Sequence, residues 1–321
     1  MGDINRIDWQ NHDGVNLSMI NDFMRNQFYD NILRDGLTQK SCIDIGFGTG
    51  LLSIMALKHG AKHITAFESD PNRYELGKII IDRLGLGSSI DLVNQRYDHD
   101  TAKADVIFSE TVNGNLWQEG LWRSLPRSVG QTFLPGRYWL EISLIPCPER
   151  FARRIGIECQ NTKNFDSGVD LDENFIDLIN ELMQSNTRSQ PLQFLSPGIN
   201  NFPHQIETAW GWMPYMRPAM ENGMVLARYE LDAERACITT QDQTIGIDWS
   251  DRSIKIAVDI ICNDTCLLVP RVGMSHGNHV LTLDTGHWGP CQMPVILHQC
   301  HGRLSVDHNV YTGNITYQLE S

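Results

Sequence analysis

The sequence predicts an α/β protein in which a helical N-terminal segment and a parallel-sheet domain precede an antiparallel β-barrel or sandwich. Three observations support this fold class. Residues 1–38 carry apolar side chains at helical spacing, strand and helix patterns alternate over 39–145, and short strands separated by turn residues fill 146–321. Alternating strands and helices are typical of a parallel sheet with crossover helices, whereas closely spaced strands favour an antiparallel unit.

The N-terminal segment is predicted to be helical because Ser18 is a suitable cap and apolar residues follow it on one face. These residues are Met19, Phe23, Phe28, Ile32 and Leu33. In the next domain the strands are SCIDIGFG, HITAFESD, SIDLVNQ and DVIFSE, with helices at LLSIMALKHG and from Pro71 onward. Pro71 suits the first position of a helix, and Gly60 suits a helix end.

The third region is predicted to contain six strands and one helix. The strands are GMVLARYEL, SIKIAVDIIC, CLLVP, HVLTLD, MPVILHQ and NVYTGNITYQL. The helix lies in an arm at about 165–195, where residues 171–183 place apolar side chains on one face. Such a face packs either on its own barrel or on another subunit.

Composition narrows the classes of function. The 321 residues carry a net charge of −13, which disfavours nucleic acid as a partner and suits a cationic one. The polar N-terminus does not resemble a secretory signal, and no apolar run is long enough to cross a membrane, so we expect a soluble, cytoplasmic protein. The eight cysteines include no CxxC pair, and their spacing matches no zinc site, so we expect free thiols and no metal.

A glycine-rich loop follows the first predicted strand. Asp44, Gly46, Gly48 and Gly50 form it, and Glu68 ends the second strand. Glycines there let a ligand approach the backbone, and an acid at the second strand end accepts hydrogen bonds from ribose hydroxyls. Asp44 would repel a pyrophosphate but suits the cationic methionine end of S-adenosylmethionine, so we expect that cofactor rather than NAD.

Two glutamates follow the predicted strand DVIFSE. Glu110 lies at the strand's carboxyl end, and Glu119 lies across a loop that contains Asn113 and Gly114. Two carboxylates in one pocket repel each other unless a cation lies between them. A guanidinium is such a cation, and a carboxylate pair can orient its nitrogen and draw off positive charge. The alternative from spacing alone is two solvated loop acids.

Several of these motifs together resemble the protein arginine methyltransferases. CIDIGFGTGLLS resembles their cofactor motif, SETVNGNLWQE their double-glutamate loop, and TGHWGPCQ their Thr-His-Trp loop. SMINDFMRNQFY resembles the N-terminal helix that folds over the cofactor, and LPGRYWLEIS the segment that leads into the barrel. The resemblance covers about residues 9 to 300 and implies a Rossmann-like methyltransferase domain at 39–145, followed by a β-barrel domain at 146–321 with a helical dimerisation arm.

The resemblance also implies residue roles. Glu110 and Glu119 would clamp the substrate guanidinium, with Glu110 also beside the cofactor, while His287 and Trp288 would shape the far wall. Arg25 would hold the methionine carboxylate of S-adenosylmethionine. Met19 would border the active site, and Asp98 would lie near the adenine amine.

The resemblance further implies a head-to-tail homodimer and an arginine substrate, either free L-arginine or arginine in a protein. The chain departs from many members near its start, where Trp9 is the one aromatic residue of RIDWQNH, and at Gly286, which separates Thr285 from His287. Gly120 follows the second glutamate, as in monomethylating members, so we expect monomethylation. The alternatives are a catalytically inactive scaffold, a methyltransferase that acts on another small guanidine or amine, and an NAD-dependent oxidoreductase.

Overall fold

The computed structural model of the chain describes residues 22–98, 103–112, 120–125, 131–146, 174–175, 178, 223–235, 237–240, 244–246, 253–282, 295–309 and 315–320. The first described element is helix α1, Phe23–Arg34. Asp22 caps it, because its carboxylate accepts a hydrogen bond from the backbone N of Arg25 at 3.1 Å. Ser18 and Met19, which the sequence analysis places at the start of this helix, lie outside the described residues.

The parallel-sheet domain alternates strands and helices, as predicted. Its elements are β1 Ser41–Ile45, α2 Leu51–Lys58, β2 His63–Phe67, α3 Pro71–Leu84, β3 Ile90–Val93, β4 Val106–Ser109, α4 Leu121–Ser124 and β5 Thr132–Leu134. All described pairings are parallel, and the strand order is β3-β2-β1-β4-β5. The order reverses between β1 and β4, which is where open α/β sheets form a ligand-binding crevice.

Local sequence signals explain where α3 begins and ends. Pro71 takes the first helical position, and the carboxylate of Asp70 accepts hydrogen bonds from the backbone N of Asn72 and Arg73. Gly85 ends the helix in a left-handed conformation, with φ 66°. Pro71 was predicted from the sequence as the first helical residue, and the structure confirms it.

The third region forms an antiparallel sheet, as predicted. Its strands are β6 Arg137–Pro146, β7 Met224–Asp232, β8 Cys237–Thr239, β9 Thr244–Gly246, β10 Ser253–His276, β11 His279–Thr282, β12 Val295–Asn309 and β13 Ile315–Glu320. The described strands follow the order β13-β12-β10-β6-β7-β8-β9, and β11 pairs with β10. Closure of this sheet into a barrel stays a prediction.

The structure corrects one strand prediction. SIKIAVDIIC and CLLVP were predicted as separate strands, but they form the single strand β10, which pairs with β12 along most of its length. The intervening residues are taken up by a register shift between Cys262 and Thr265 rather than by a turn.

The sheets also divide at a different point from the boundary that we placed between residues 145 and 146. β6 begins at Arg137 and pairs with β7 and β10, so it belongs to the antiparallel sheet along its whole length. Only Pro135 and Gly136 separate it from β5 of the parallel sheet. Such a short connection leaves no change of composition for sequence reasoning to detect.

The described residues of the predicted helical arm are Asn174, Phe175 and Leu178, all in helical conformation. Phe175 and Leu178 are buried within the chain itself and belong to its main apolar core. The rest of the arm lies outside the described residues. Of the two packing partners left open, own barrel or another subunit, these two side chains therefore favour their own chain.

Helix α1 joins the two sheets. The Tyr29 hydroxyl donates to the backbone O of Ser109 at 3.0 Å, and it lies 3.6 Å from the sulfur of Met274 in β10. On the other side of the helix, Asp30 accepts from Arg34 at 2.6 Å and lies 2.8 Å from Nε2 of His59. These contacts fix α1 over the end of β4.

One property of the helices bears on membranes. Within the part of the chain that the structure describes, no helix has both the length and the apolar character needed to cross a bilayer.

Candidate functional site

The glycine loop opens at the carboxyl end of β1, inside the crevice where the strand order reverses. Gly46, Gly48 and Gly50 have φ values of 86°, 55° and 78°, which side chains with a β-carbon rarely adopt. The backbone N atoms of Gly46 and Phe47 both donate to the carbonyl of Phe67 at the end of β2, at 2.9 and 3.0 Å. The loop is therefore held against the neighbouring strand with its backbone exposed to the crevice.

The Phe47 ring packs between the glycine loop and helix α3, a role that was not predicted from the sequence. Its ring lies close to Gly50, where an added β-carbon would come within 2.5 Å of it, and to Gly77 of α3, where the distance would be 2.8 Å. Phe47 is only 4% exposed. A buried aromatic ring between two glycines is a signal that emerges only when the chain is folded.

Glu68 binds the glycine loop directly. Its Oε2 accepts a hydrogen bond from the backbone N of Gly48 at 3.0 Å, and its Oε1 accepts one from Asp70 at 2.9 Å. The side chain is buried. Because each carboxylate oxygen has more than one lone pair, both oxygens keep acceptor capacity for a ligand hydroxyl.

Asp44 is a buried acid at the base of the loop. Its Oδ2 accepts from the Ser53 hydroxyl at 2.6 Å, while its Oδ1 has no hydrogen-bond partner among the described residues. The pKa of this carboxyl is raised to about 7, chiefly by burial and also by the Glu68 carboxylate, while the Ser53 hydrogen bond and Arg25 oppose the shift. Such an acid is stabilised by any cation that approaches its unpartnered oxygen.

Glu110 ends β4 across the crevice from the glycine loop, and it binds Arg25 of α1. The Arg25 Nη2 to Glu110 Oε2 distance is 3.0 Å, and the two side chains are only 6% and 4% exposed. Arg25 also donates from Nη1 to Asn26 at 3.3 Å, and its guanidinium lies 5.6 Å from the Tyr29 ring centroid. The structure thus brings together Arg25 and Glu110, two of the residues predicted to form the site.

Two buried tyrosines beside Glu110 were not predicted. Tyr29 of α1 and Tyr138 of β6 are both 0% exposed. Burial raises the pKa of each hydroxyl well above its usual range, and the Glu110 carboxylate adds to both shifts. Tyr29 falls within the apolar spacing of α1, and Tyr138 falls within the alternating pattern of a strand. In the sequence each is therefore typical of an ordinary core residue.

An open cleft with about 480 Å³ of empty space lies beside the glycine loop and Glu68. It is lined by Ile45, Gly46, Phe67, Glu68, Ser69, Gln95, Arg96, Tyr97, Thr111, Gly120 and Ser124. Tyr97 is buried and packs edge-on against Phe67, with ring centroids 5.2 Å apart. Asp98 follows directly and is exposed, so the cleft wall at this point is formed by Gln95, Arg96 and Tyr97.

Four of the predicted site residues lie outside the described part of the chain. They are Met19, Glu119, His287 and Trp288. Their assigned roles stay predictions.

Comparison with known proteins gives sequence matches to about a third of the chain. Residues 27–117 match the family model described as ribosomal protein L11 methyltransferase (PrmA). Protein arginine N-methyltransferase 9 of Homo sapiens is 32% identical over 115 residues, which is 33% of this chain and 14% of that protein. Protein arginine N-methyltransferase 1 of Saccharomyces cerevisiae is 30% identical over 116 residues, 34% of this chain and 33% of that protein. These matches span a third or less of each relative's own length.

The fold is similar to solved structures along nearly the whole chain. A crystal structure of PRMT6 covers 95% of this chain and 98% of its own, with a TM-score of 0.56 and 15% identity. The Trypanosoma brucei PRMT1 enzyme-prozyme complex covers 97% of this chain and 94% of its own, with a TM-score of 0.53 and 14% identity. At such identities the likeness concerns the fold.

The family model matches a part of the chain that carries the glycine loop and Glu110, and the fold likeness extends over nearly the whole chain. The chain is therefore similar to protein arginine N-methyltransferases in part of its sequence and in its fold.

Proposed function

We propose that this chain transfers a methyl group from S-adenosylmethionine to a guanidino nitrogen of arginine. The observation that carries the proposal is the buried carboxylate of Glu110, which lies across the crevice from the glycine loop and already binds a guanidinium, that of Arg25, at 3.0 Å. A guanidinium is planar and permanently charged, and its N–H donors match carboxylate oxygens. The proposed cofactor crevice and the proposed guanidinium-binding carboxylate thus share one edge of the sheet.

The residues of the crevice fit S-adenosylmethionine. The glycine loop offers backbone without side chains, and Glu68 keeps acceptor capacity for ribose hydroxyls. The unpartnered Oδ1 of Asp44 suits the methionine ammonium, and the Arg25 guanidinium suits the methionine carboxylate. When bound, this cofactor supplies an electrophilic methyl group on its sulfonium sulfur.

Glu110 would hold the substrate guanidinium and draw positive charge away from the nitrogen that is methylated. The Tyr29 hydroxyl, which donates to the backbone O of Ser109, fixes the strand end on which Glu110 lies. In this proposal Glu119 forms the second side of the clamp, and one of the two glutamates accepts the departing proton. His287 and Trp288 shape the opposite wall, Met19 borders the site, and Asp98 lies near the adenine amine.

The test is a product assay with two acceptors. The protein is incubated with S-adenosylmethionine and either free L-arginine or an arginine-glycine-rich peptide, and the products are identified by mass spectrometry. We expect a methylated guanidino group on at least one acceptor. Cofactor binding without product from either would contradict the proposal and would support the inactive scaffold instead.

We further propose that the product is monomethylated. Gly120 after the second glutamate supports this, because it leaves the pattern of the monomethylating members intact. The same mass spectra, followed until the acceptor is exhausted, test the proposal. Accumulation of dimethylated arginine would contradict it.

We also propose a homodimer in which the helical arm docks on the parallel-sheet domain of a second copy. The amphipathic pattern of residues 171–183 supports this, and one similar structure is of an enzyme-prozyme heterotetrameric complex. Phe175 and Leu178 are buried within their own chain, so other residues of the arm would form the contact.

Finally, we propose a cytoplasmic location. The described cysteines Cys42, Cys237 and Cys266 are free thiols, which suits a reducing compartment. Cell fractionation with an antibody to the protein tests this, and recovery in a secreted fraction would contradict it.

A further inference from the structure

Tyr138 is a fully buried residue whose hydroxyl lacks a hydrogen-bond partner among the described residues. It is the second residue of β6, and it pairs in register with Met274 of β10 and Leu231 of β7. Leaving a buried hydroxyl unpaired costs free energy, and native proteins rarely do so without a reason. The position of this hydroxyl suggests what its partner is.

The cross-strand pairing places Tyr138 on the side of Glu110. Residues directly opposite each other in a sheet project to the same face, so Tyr138 shares a face with Met274. The sulfur of Met274 lies 3.6 Å from the Tyr29 hydroxyl, which in turn donates to the backbone O of Ser109. Glu110 follows Ser109 directly. Tyr138 therefore faces the small buried polar cluster that Tyr29, Glu110 and Arg25 form.

The charges around Tyr138 agree with this placement. Burial raises the pKa of its hydroxyl, and the Glu110 carboxylate raises it further, so the hydroxyl stays neutral and keeps its proton. A neutral phenol has one proton to donate and two lone pairs to accept with. It can therefore donate to a carboxylate and accept from a cation in the same pocket.

We propose that the Tyr138 hydroxyl is a further contact of the acceptor site, where its oxygen accepts an N–H of the substrate guanidinium that Glu110 holds. The guanidinium carries five donors, more than one carboxylate can bind. A neutral acceptor takes one of them without adding a third negative charge beside Glu110 and Asp44. This inference rests on the proposed function of the same site.

The test compares two substitutions that each remove one tyrosine hydroxyl. Tyr138→Phe deletes the proposed contact. Tyr317→Phe is the matched control, because the Tyr317 hydroxyl also lacks a described partner but lies in β13, which two strands separate from β6. For Tyr138→Phe we expect the KM for the methylated acceptor, L-arginine or the arginine-glycine-rich peptide, to rise about tenfold or more, as for a lost hydrogen bond to a charged group. For Tyr317→Phe we expect no change in KM.

Two further measurements separate this role from a structural one. The Kd for S-adenosylmethionine should change less than about twofold, and the melting temperature should not fall, because removing an unpaired buried hydroxyl leaves no group unsatisfied. An unchanged acceptor KM in Tyr138→Phe, or a clear fall in its melting temperature, would overturn the inference while wild-type activity still supports the proposed function. If the wild type neither methylates L-arginine or the peptide nor binds them in the presence of S-adenosylhomocysteine, the proposed function fails, and this contact fails with it.

Discussion

At the scale of single residues, the site is notable for how much charge it buries. Arg25, Asp44, Glu68 and Glu110 are each less than a tenth exposed, and all lie at one edge of the parallel sheet. Taking charges out of water costs free energy that an ion pair only partly returns, so such groups are usually kept for binding or chemistry. The sequence predicted all four as site residues: Asp44, Glu68 and Glu110 from their positions at strand ends, and Arg25 from the resemblance of the N-terminal helix.

Replacing Glu110 tests its role as a guanidinium clamp. For Glu110→Gln we expect turnover to fall more than tenfold, because the neutral amide cannot draw positive charge from the methylated nitrogen. Cofactor binding, measured by calorimetry, should stay near normal. Glu141→Gln is the matched control, since Glu141 also accepts from an arginine, Arg228 at 3.1 Å, but in the antiparallel sheet. Full activity of Glu110→Gln would refute the clamp.

Asp44 predicts a dependence of stability on pH. Its pKa is about 7 in the folded chain against an ordinary value of 3.8, so folding favours the neutral acid. That stabilisation is complete below about pH 4 and is lost as the pH rises through 7. Asp44→Asn should therefore melt at a higher temperature than the wild type at pH 8, by about 2 °C or more, with no such gain at pH 4.

The control for Asp44 is the exposed Asp82 of α3. Its replacement by asparagine should change the melting temperature little at either pH. An Asp44→Asn variant whose difference from the wild type is the same at pH 4 and pH 8 would show that Asp44 does not titrate in this window.

At the scale of elements, the glycine loop depends on helix α3 beneath it. Gly77 lets the helix approach β3 and Phe47, because an added β-carbon would come within 2.7 Å of Leu92 and 2.8 Å of Phe47. The sequence identified the loop glycines from their motif but gave no sign of Gly77, whose neighbours come from distant parts of the chain. Close packing of this kind is a tertiary property, and local periodicity does not encode it.

Gly77→Ala should destabilise the protein by about 1–3 kcal/mol, because the added methyl group must displace Phe47 or Leu92. It should also weaken the binding of S-adenosylmethionine, since Phe47 adjoins Gly48, whose backbone N binds Glu68. Gly87→Ala is the control, because a β-carbon there would meet nothing within 4 Å. Chemical denaturation and calorimetry give both quantities, and equal effects of the two substitutions would disprove this account of the loop.

The prediction from sequence was also wrong for one element, strand β10. Cys262–Thr265 carries Asn263 and Asp264, which are typical of turns, so two strands were predicted where β10 runs through. A register shift accommodates these residues because β12 pairs with β10 before the shift, up to Cys262, and again after it, from Thr265. Turn residues predict a chain reversal only where no neighbouring strand pairs with the chain on both sides of them.

At the scale of the whole molecule, the order of the domains was predictable, because alternating strand and helix patterns give way to closely spaced strands along the sequence. The junction between the domains was not predictable. Pro135 and Gly136 are the whole connection between β5 and β6, and α1 packs against both sheets. One continuous apolar core includes residues of both sheets. Tyr138 acquires its place beside Glu110 only through this junction, which explains why sequence reasoning missed it.

The proposed homodimer is tested on the intact protein. Light scattering at micromolar concentration should give a mass near twice the 36.5 kDa of one chain. Substituting Leu171, Ile179 and Leu182, which fall on the apolar stripe of the arm in the sequence, with charged residues should lower this mass to that of one chain while the circular dichroism spectrum is kept. A wild-type monomer at micromolar concentration would remove the proposal.

The ion pair between Arg25 and Glu110 has a consequence for the order in which ligands bind. A carboxylate ligand that takes hydrogen bonds from Arg25 competes with Glu110 for the same guanidinium, and so makes Glu110 a better receptor for a second guanidinium. The two ligands would then each strengthen the binding of the other by the same factor. We expect sequential kinetics in which the methyl donor enters first, with L-arginine binding tightened by S-adenosylhomocysteine. Independence of the two affinities would show that Arg25 does not exchange partners.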